Sequence, residues 1–176
     1  MIKICYDIKV YRKILDNIVN RNDVVIELGC HVGKTSKLIA EKVEKGKVIC
    51  LDNSPEATAK MNNLKLIYPY LKFIKGDVRL HETLKEVVEI INKCNILTID
   101  LGGGYHPDTA FKVYYIWAST FKPNHAIIRN KGLIDFVQTS EAYENIKSKE
   151  GWLESCGNQG IPTQIEEFKL WSSAIK

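Results

Sequence analysis

The sequence predicts one α/β domain built on a doubly wound, mostly parallel sheet. Short β-branched runs alternate with helical patterns from residue 23 onward, an order typical of βαβ units. The runs end at Gly, Asp or Asn residues, which favour turns. The length of 176 residues and the hydrophobic content of 45% suit a single domain with a sizeable core.

The predicted strands and helices alternate along the chain. The strands cover residues 23–29, 47–53, 71–77, 95–102 and 125–132. The helices between them carry apolar residues at three- and four-residue spacing, so each packs one face on the sheet. They cover residues 34–45, 54–68, 80–93 and 107–121. Ser54 is expected to cap the second helix, with Pro55 and Glu56 in its first turn.

Both ends of the chain add to this core. Residues 6–20 read as an extra helix, and residues 133–149 also look helical. Residues 164–175 are predicted to form either a closing antiparallel strand or a last helix, which leaves a shortened C-terminal strand region. The single domain therefore divides into an N-terminal helical region (1–22), a ligand-binding core (23–135) and a C-terminal helix with a closing element (136–176). A ligand crevice is expected beyond the carboxyl ends of the strands.

Composition excludes several classes of protein. The 25 Lys and Arg against 21 Asp and Glu leave a net charge of +4, which permits an anionic partner without requiring one. No apolar run approaches the roughly 20 residues that span a bilayer. Five cysteines are an odd number without a C-x-x-C pair, and the four histidines lie far apart. We expect a soluble cytoplasmic protein with reduced core thiols and no structural zinc.

The segment "VVIELGCHVGKTS" is the candidate ligand-binding loop, because a β-branched run there leads into a glycine loop. A phosphate-binding P-loop needs four residues between its glycines, whereas Gly29 and Gly33 have three between them. The dinucleotide fingerprint fails as well, since His31 and Lys34 stand where its second and third glycines belong. "NILTID" would suit a Walker B strand, so a P-loop nucleotide-binding protein remains an alternative.

The stretch Glu27-Leu28-Gly29-Cys30-His31-Val32-Gly33 resembles motif I of the class I S-adenosylmethionine-dependent methyltransferases. That motif reads acid, x, Gly, x, Gly, x, Gly, and His31 replaces its middle glycine. The position admits a side chain that points away from the cofactor. The resemblance implies a Rossmann-like methyltransferase fold with S-adenosyl-L-methionine as cofactor. A carboxylate at Glu27 would also lower the cost of holding a cationic ligand.

Three further strand ends extend the resemblance over roughly residues 23–135. Asp52 matches the family acid that accepts hydrogen bonds from both ribose hydroxyls, a task that suits a bidentate acceptor. Asp77 and Val78 match the adenine-binding pair, and Asp100 opens motif IV. An acid at a strand end also commonly makes a turn or caps a helix. The implied cofactor-binding residues are Glu27, Gly29, Cys30, His31, Gly33, Asp52, Asn53, Asp77, Val78, Asp100 and Leu101.

Motif IV narrows the chemistry. Amino-group methylation of bases often uses a [D/N]-P-P-[Y/F] turn, and this chain has "DLGGGY" instead, which disfavours that reaction. Metal-dependent catechol and caffeoyl-CoA O-methyltransferases add an Asp-Asn pair after the fifth strand. The matching pair here is Arg129-Asn130. A guanidinium in place of a carboxylate ligand opposes a cation, so no metal is predicted.

The acceptor side of the crevice is predicted to combine "GGGYHPD" with "IIRNKG". The catalytic candidates are Asp100, Tyr105, His106 and Arg129. Tyr105 and His106 would orient or deprotonate an acceptor, while Arg129 and Lys131 would hold an anionic one such as RNA. A catalytically inactive methyltransferase-like binding module is the alternative. The chain has little room for a substrate-recognition domain, which favours a protein partner, a homo-oligomer such as a dimer, or an extended substrate.

Overall fold

A computed structural model describes residues 1–156 of the chain. The described part contains six strands: β1 (Ile2–Cys5), β2 (Val24–Leu28), β3 (Lys47–Asp52), β4 (Leu71–Lys75), β5 (Ile96–Ile99) and β6 (His125–Arg129). It contains six α-helices: α1 (Ile8–Ile18), α2 (Lys34–Lys42), α3 (Pro55–Ile67), α4 (His81–Val88), α5 (Pro107–Phe121) and α6 (Lys131–Thr139). Short 3₁₀ turns lie at Gly102–Gly104 and Glu154–Cys156.

The strands form one sheet in the order β1-β6-β5-β2-β3-β4, and every pairing is parallel. The predicted doubly wound α/β fold is thereby confirmed. Because all strands run the same way, their carboxyl ends meet along one edge of the sheet. The chain reverses its direction of winding between the neighbours β2 and β5. A crevice at this switch point is where such sheets bind ligands.

The strand β1 was not predicted. Its sequence "IKIC" is a short alternating run, and it pairs with β6 from Ile2 opposite Ala126 to Cys5 opposite Arg129. The helix predicted over residues 6–20 follows it as α1. Since β1 is parallel to its neighbour, the chain leaves it at the carboxyl edge and delivers Tyr6 there.

Two apolar cores cover the two faces of the sheet. Helices α1, α2 and α3 bury Leu15, Ile39 and Met61 on one face. Helices α4, α5 and α6 cover the other face, where Trp117 is fully buried and its indole nitrogen donates to the carbonyl of Val78 at 2.9 Å. Coverage on both faces explains why the central strands β2, β3, β5 and β6 are almost continuously apolar, whereas the edge strands β1 and β4 alternate with lysines.

Some of the predicted helical features are wrong in detail. The helix predicted over residues 133–149 is α6, which begins at Lys131 and ends at Thr139, and beyond it Tyr143 and Ile146 are exposed rather than packed on the sheet. Ser54 does stand at the N-cap of α3, yet its side chain makes no capping bond and its Oγ is buried without a hydrogen-bond partner. Residues 164–175 lie outside the described part of the chain.

Four of the five cysteines are buried, in agreement with the expectation of core thiols, and Cys156 is exposed. Burial raises the pKa of Cys5 to about 11, so this thiol stays protonated at neutral pH. Among residues 1–156, every helix is too short or too polar to cross a membrane.

A buried hydrogen bond anchors α1 to the sheet and yields a test of the fold. The hydroxyls of Tyr11 and Thr98 contact each other, and both residues are buried. Tyr11→Phe should lower the free energy of unfolding by about 1–3 kcal/mol, because it leaves the Thr98 hydroxyl without this partner. Tyr11→Phe with Thr98→Val should cost less than the sum of the single changes. Urea unfolding of the variants, with the exposed Tyr143→Phe as control, checks this; additive losses would contradict it.

Candidate functional site

A cavity of about 600 Å³ opens at the carboxyl edge of the sheet, at the switch point between β2 and β5. Residues from the ends of β2, β3, β4, β5 and β6 line it. They are Gly29, His31, Leu51, Asp52, Asn53, Ser54, Gly76, Asp77, Val78, Arg79, Asp100, Leu101, Gly102, Gly103, Tyr105, His106, Thr109 and Arg129. The structure thus brings together eleven of the fourteen site residues that the sequence predicts; Glu27, Cys30 and Gly33 are the other three.

The glycine loop after β2 forms the floor of the cavity. Gly29 has a φ of +87°, and a Cβ at this position would lie 2.1 Å from the carbonyl oxygen of Asp100. Only glycine permits this approach between the ends of β2 and β5. His31 has a φ of +46°, which is uncommon for a residue with a side chain and is often found at functional sites.

Asp52 lies at the end of β3 with its carboxylate oriented by the backbone. The amide of His31 donates to Oδ2 at 2.7 Å, and the amide of Ser54 donates to Oδ1 at 2.8 Å. Each carboxylate oxygen can accept a further hydrogen bond. The loop after β2 and the start of α3 therefore hold a bidentate acceptor ready at the cavity wall.

Asp77, after β4, is tied to Arg79 two residues later. The Arg79 side chain donates to both carboxylate oxygens, with its shortest contact 2.6 Å from Nη2 to Oδ2, and its amide donates to Oδ1 at 2.9 Å. Burial alone would raise the pKa of Asp77, but these hydrogen bonds outweigh it and hold the pKa below its ordinary value. Asp77 is therefore ionised at neutral pH, and a nucleobase amino group would compete with Arg79 for it.

Asp100, after β5, is paired with Arg129 from the end of β6. The Nη1 of Arg129 lies 2.8 Å from the Asp100 carboxylate, and its Nε donates to the carbonyl of Tyr6 at 2.8 Å. Both charged side chains are at most one fifth exposed. Arg129 therefore joins three segments of chain at the carboxyl edge: β5, β6 and the link from β1 to α1.

The segment Gly102–His106 forms the rim of the cavity. Gly102, Gly103 and Gly104 all have positive φ, and a Cβ on Gly103 would meet no atom within 4 Å. His106, at the N-cap of α5, has the left-handed backbone φ 58° and ψ 68°. The side-chain amide of the buried Asn130 donates to the carbonyl of Tyr105 at 2.9 Å, which ties this rim to the start of α6.

Three predicted cofactor residues do not line the cavity. Glu27 is buried beneath the glycine loop and accepts a 2.5 Å hydrogen bond from Ser36 Oγ. Burial raises the pKa of Glu27 to about 7, against the opposing hydrogen bonds from Ser36 and Cys50. Cys30 is a core thiol with a raised pKa caused first by burial. Gly33 is the N-cap of α2.

Two residues that contact the predicted site, Arg79 and Tyr6, were not predicted from the sequence. The sequence does contain a signal for Arg79. A basic side chain two positions after an acid at a strand end can donate a hydrogen bond to that acid within the turn. Tyr6 depends on β1, whose only signal is the alternation of Ile2 and Ile4 with Lys3. Within residues 1–156, no group of three or more His, Cys, Asp or Glu side chains is arranged to hold a metal ion.

The family model for FtsJ-like methyltransferases matches residues 9–148, which is most of the chain and the whole cavity. The chain belongs to the FtsJ-like methyltransferase family. The predicted class, S-adenosylmethionine-dependent methyltransferase, is thereby confirmed. None of the curated protein sequences matches the chain.

Solved structures agree with the family fold. An rRNA methylase from Streptococcus thermophilus is 13% identical, with a TM-score of 0.54, over 75% of this chain and 78% of its own. The fibrillarin of Aeropyrum pernix with natively bound S-adenosyl-L-methionine is 13% identical with a TM-score of 0.52, and that of Methanococcus jannaschii, a pre-rRNA processing protein, is 15% identical with a TM-score of 0.51. The superpositions on these two fibrillarins cover 94% and 87% of this FtsJ-like chain. They cover 64% and 57% of the fibrillarin chains.

The cavity of this FtsJ-like chain fits the cofactor of its family. Asp52 presents a preoriented bidentate acceptor for a vicinal diol. Because Gly29 has no Cβ, the loop that forms the cavity floor packs directly against the carbonyl of Asp100. Asp77 and Asp100 are each ion-paired with an arginine, whereas backbone amides bond Asp52, so Asp52 supplies the negative charge that suits a cationic ligand. S-Adenosyl-L-methionine carries both the diol and the positive charge that this arrangement suits.

The raised pKa of Glu27 gives the folded protein a pH-dependent stability. In the folded chain the pKa is about 7, against an ordinary value of 4.5, so the folded state holds an extra proton between these limits. Stability should therefore fall as pH rises from about 4.5 to 7. Glu27→Gln should remove this part of the slope and be more stable than the wild type by about 1–3 kcal/mol above pH 7. Urea unfolding at pH 4.5 and 8 measures it; an equal slope in both proteins would refute the assignment.

Proposed function

We propose that this chain transfers a methyl group from S-adenosyl-L-methionine to RNA. The observation that carries the proposal is one cavity whose wall holds Asp52, bonded by backbone amides, and whose rim holds Tyr105 and His106, with Lys131 over the neighbouring Tyr6 ring. The Asp52 carboxylate suits a cationic cofactor, and the Lys131 ammonium suits an anionic acceptor. The two halves of the site thus match the two substrates of an RNA methyltransferase.

The donor side is assigned to the ends of β3 and β4. The Asp52 carboxylate accepts hydrogen bonds from the ribose hydroxyls. Asp77 and the backbone of Val78 bind the edge of the adenine ring through hydrogen bonds. When bound, S-adenosyl-L-methionine supplies an electrophilic methyl group on its positive sulfur. Because that carbon is already activated, the protein contributes mainly the position of the acceptor and the removal of its proton.

His106 is the residue that we assign to proton removal. It lines the cavity, is exposed, and has a left-handed backbone that sets its direction at the start of α5. Asp100 is less suited to this role because Arg129 already binds its carboxylate at 2.8 Å. An arginine is always charged and cannot accept a proton, so Arg129 positions Asp100 and the rim instead.

The RNA acceptor is supported by the charge of the rim and by the related folds. Lys131 is exposed at the start of α6, immediately beyond Asn130 and Arg129. Lysine in this position can neutralise a backbone phosphate. Solved proteins of the same fold include an rRNA methylase and a pre-rRNA processing fibrillarin. A cytoplasmic location for the reaction accords with the reduced state expected for the buried thiols.

Cofactor binding tests the donor side. The chain should bind S-adenosylhomocysteine in the micromolar range without magnesium. Asp52→Ala should weaken binding about 10- to 100-fold, the usual loss for a charge-assisted hydrogen-bonding partner. Asp16→Ala, which removes a surface carboxylate paired with Lys42, is the matched control. Isothermal titration measures both; unchanged affinity in Asp52→Ala, or tight ATP binding, would overturn the donor site.

Methyl transfer from labelled cofactor to total RNA, total protein and small-molecule extracts tests the acceptor side. We expect label in RNA, including in the presence of a chelator. His106→Asn should reduce the rate about 100-fold with unchanged affinity for S-adenosylhomocysteine, because asparagine tolerates the left-handed backbone but accepts no proton at neutral pH. Label confined to protein or small molecules would reject RNA. A full rate in His106→Asn would reject the assignment of the base.

A further inference from the structure

Two tyrosines meet beside the mouth of the cavity. The hydroxyls of Tyr6 and Tyr105 lie 3.2 Å apart, and their ring centroids are 6.1 Å apart with an angle of 73° between the ring planes. Such an edge-to-face contact is favourable for aromatic rings. The two residues are 99 positions apart in sequence, so it is the parallel pairing of β1 with β6 that brings them together.

Contacts with Gly104, Asn130 and Arg129 hold the two tyrosines in place. A Cβ on Gly104 would lie 3.1 Å from the Tyr6 ring, so this glycine lets the ring pack directly on the loop. Asn130 binds the carbonyl of Tyr105, and Arg129 binds the carbonyl of Tyr6. Both backbone positions are therefore fixed by residues at the end of β6, and the Tyr105 ring stands on a rigid base.

The surroundings of the two rings differ. The Arg129 guanidinium lies over the Tyr6 ring at 5.4 Å from its centroid, and Lys131 Nζ lies over it at 6.0 Å. These cations occupy the space above Tyr6. Tyr105 is 54% exposed and lines the cavity together with Gly103. An exposed aromatic ring at the mouth of a cavity offers a face on which a nucleobase can stack.

We propose that Tyr105 stacks a nucleobase of a single-stranded RNA segment while Lys131 binds a neighbouring phosphate. The inference rests on the proposed function and narrows its substrate to unpaired RNA. Aromatic side chains bind single strands because an unstacked base exposes its π-face, whereas the bases of a duplex are covered by their neighbours. An acceptor nucleotide must also leave any helix to reach into the cavity. Lys131 lies beside the ring pair, where the backbone of a stacked nucleotide would pass.

Fluorescence anisotropy of the whole chain with a labelled RNA of about 12 nucleotides tests the proposal, since single-strand sites span about 4–16 nucleotides. The probe is used alone and annealed to its complement. Tyr105→Ala should weaken binding of the single strand about 5- to 100-fold, and Tyr105→Phe should retain affinity because its ring remains. Lys131→Ala should reduce the slope of log affinity against log salt by about 0.7. Tyr143→Ala, at a 91% exposed tyrosine outside the cavity, is the matched control and should bind like the wild type.

Methyl transfer to RNA and affinity for S-adenosylhomocysteine are measured on the same proteins, so that loss of fold or donor binding is recognised. If the wild type labels RNA but Tyr105→Ala binds the single strand normally, the stacking proposal is wrong and the proposed function stands. Equal affinity for duplex and single strand would also overturn the proposal. If the wild type neither binds nor labels RNA, the RNA function itself fails and the proposal fails with it.

Discussion

Parallel pairing of all six described strands is the constraint on which the rest of the structure depends. It places every strand's carboxyl end on one edge, and the reversal between β2 and β5 opens a cavity there. The same pairing explains the role of β1, a strand of four residues that would add little to the core alone. By running parallel to β6 it delivers Tyr6 to the edge, where Arg129 binds the Tyr6 carbonyl.

Each carboxylate at this edge has a different partner, and the partner determines what it can do. Backbone amides orient Asp52 and leave it free to accept further hydrogen bonds. Arginine side chains bind Asp77 and Asp100 within a partly buried wall, and the hydrogen bonds from Arg79 hold the pKa of Asp77 below its ordinary value despite burial. Among the described residues, Glu27 is bonded by the neutral side chains of Ser36 and Cys50, and burial raises the pKa of Glu27 to about 7. A sequence shows acids at strand ends, but the charge each carries depends on partners that only the fold supplies.

The sequence predicted most of the fold because local signals agreed with each other. Five apolar runs and their turn residues located β2 to β6, and the acids at the strand ends located the cavity. The features that could not be predicted from the sequence depend on contacts between distant parts of the chain. The strand β1 has a signal of four residues, and the pairing of Arg129 with Asp100 joins positions 29 apart in sequence. Glu27 likewise does not line the cavity, because its side chain is buried against Ser36. The periodicity of the sequence does not reveal this contact.

We propose that one cavity at the switch point holds the cofactor between Asp52 and the Gly102–His106 rim. A crystal structure of the chain with S-adenosylhomocysteine tests it most directly. We expect density in the 600 Å³ cavity, with the ribose hydroxyls at the Asp52 carboxylate and the adenine beside Asp77. Density for the ligand elsewhere on the chain, or a ribose that does not contact Asp52, would contradict the account.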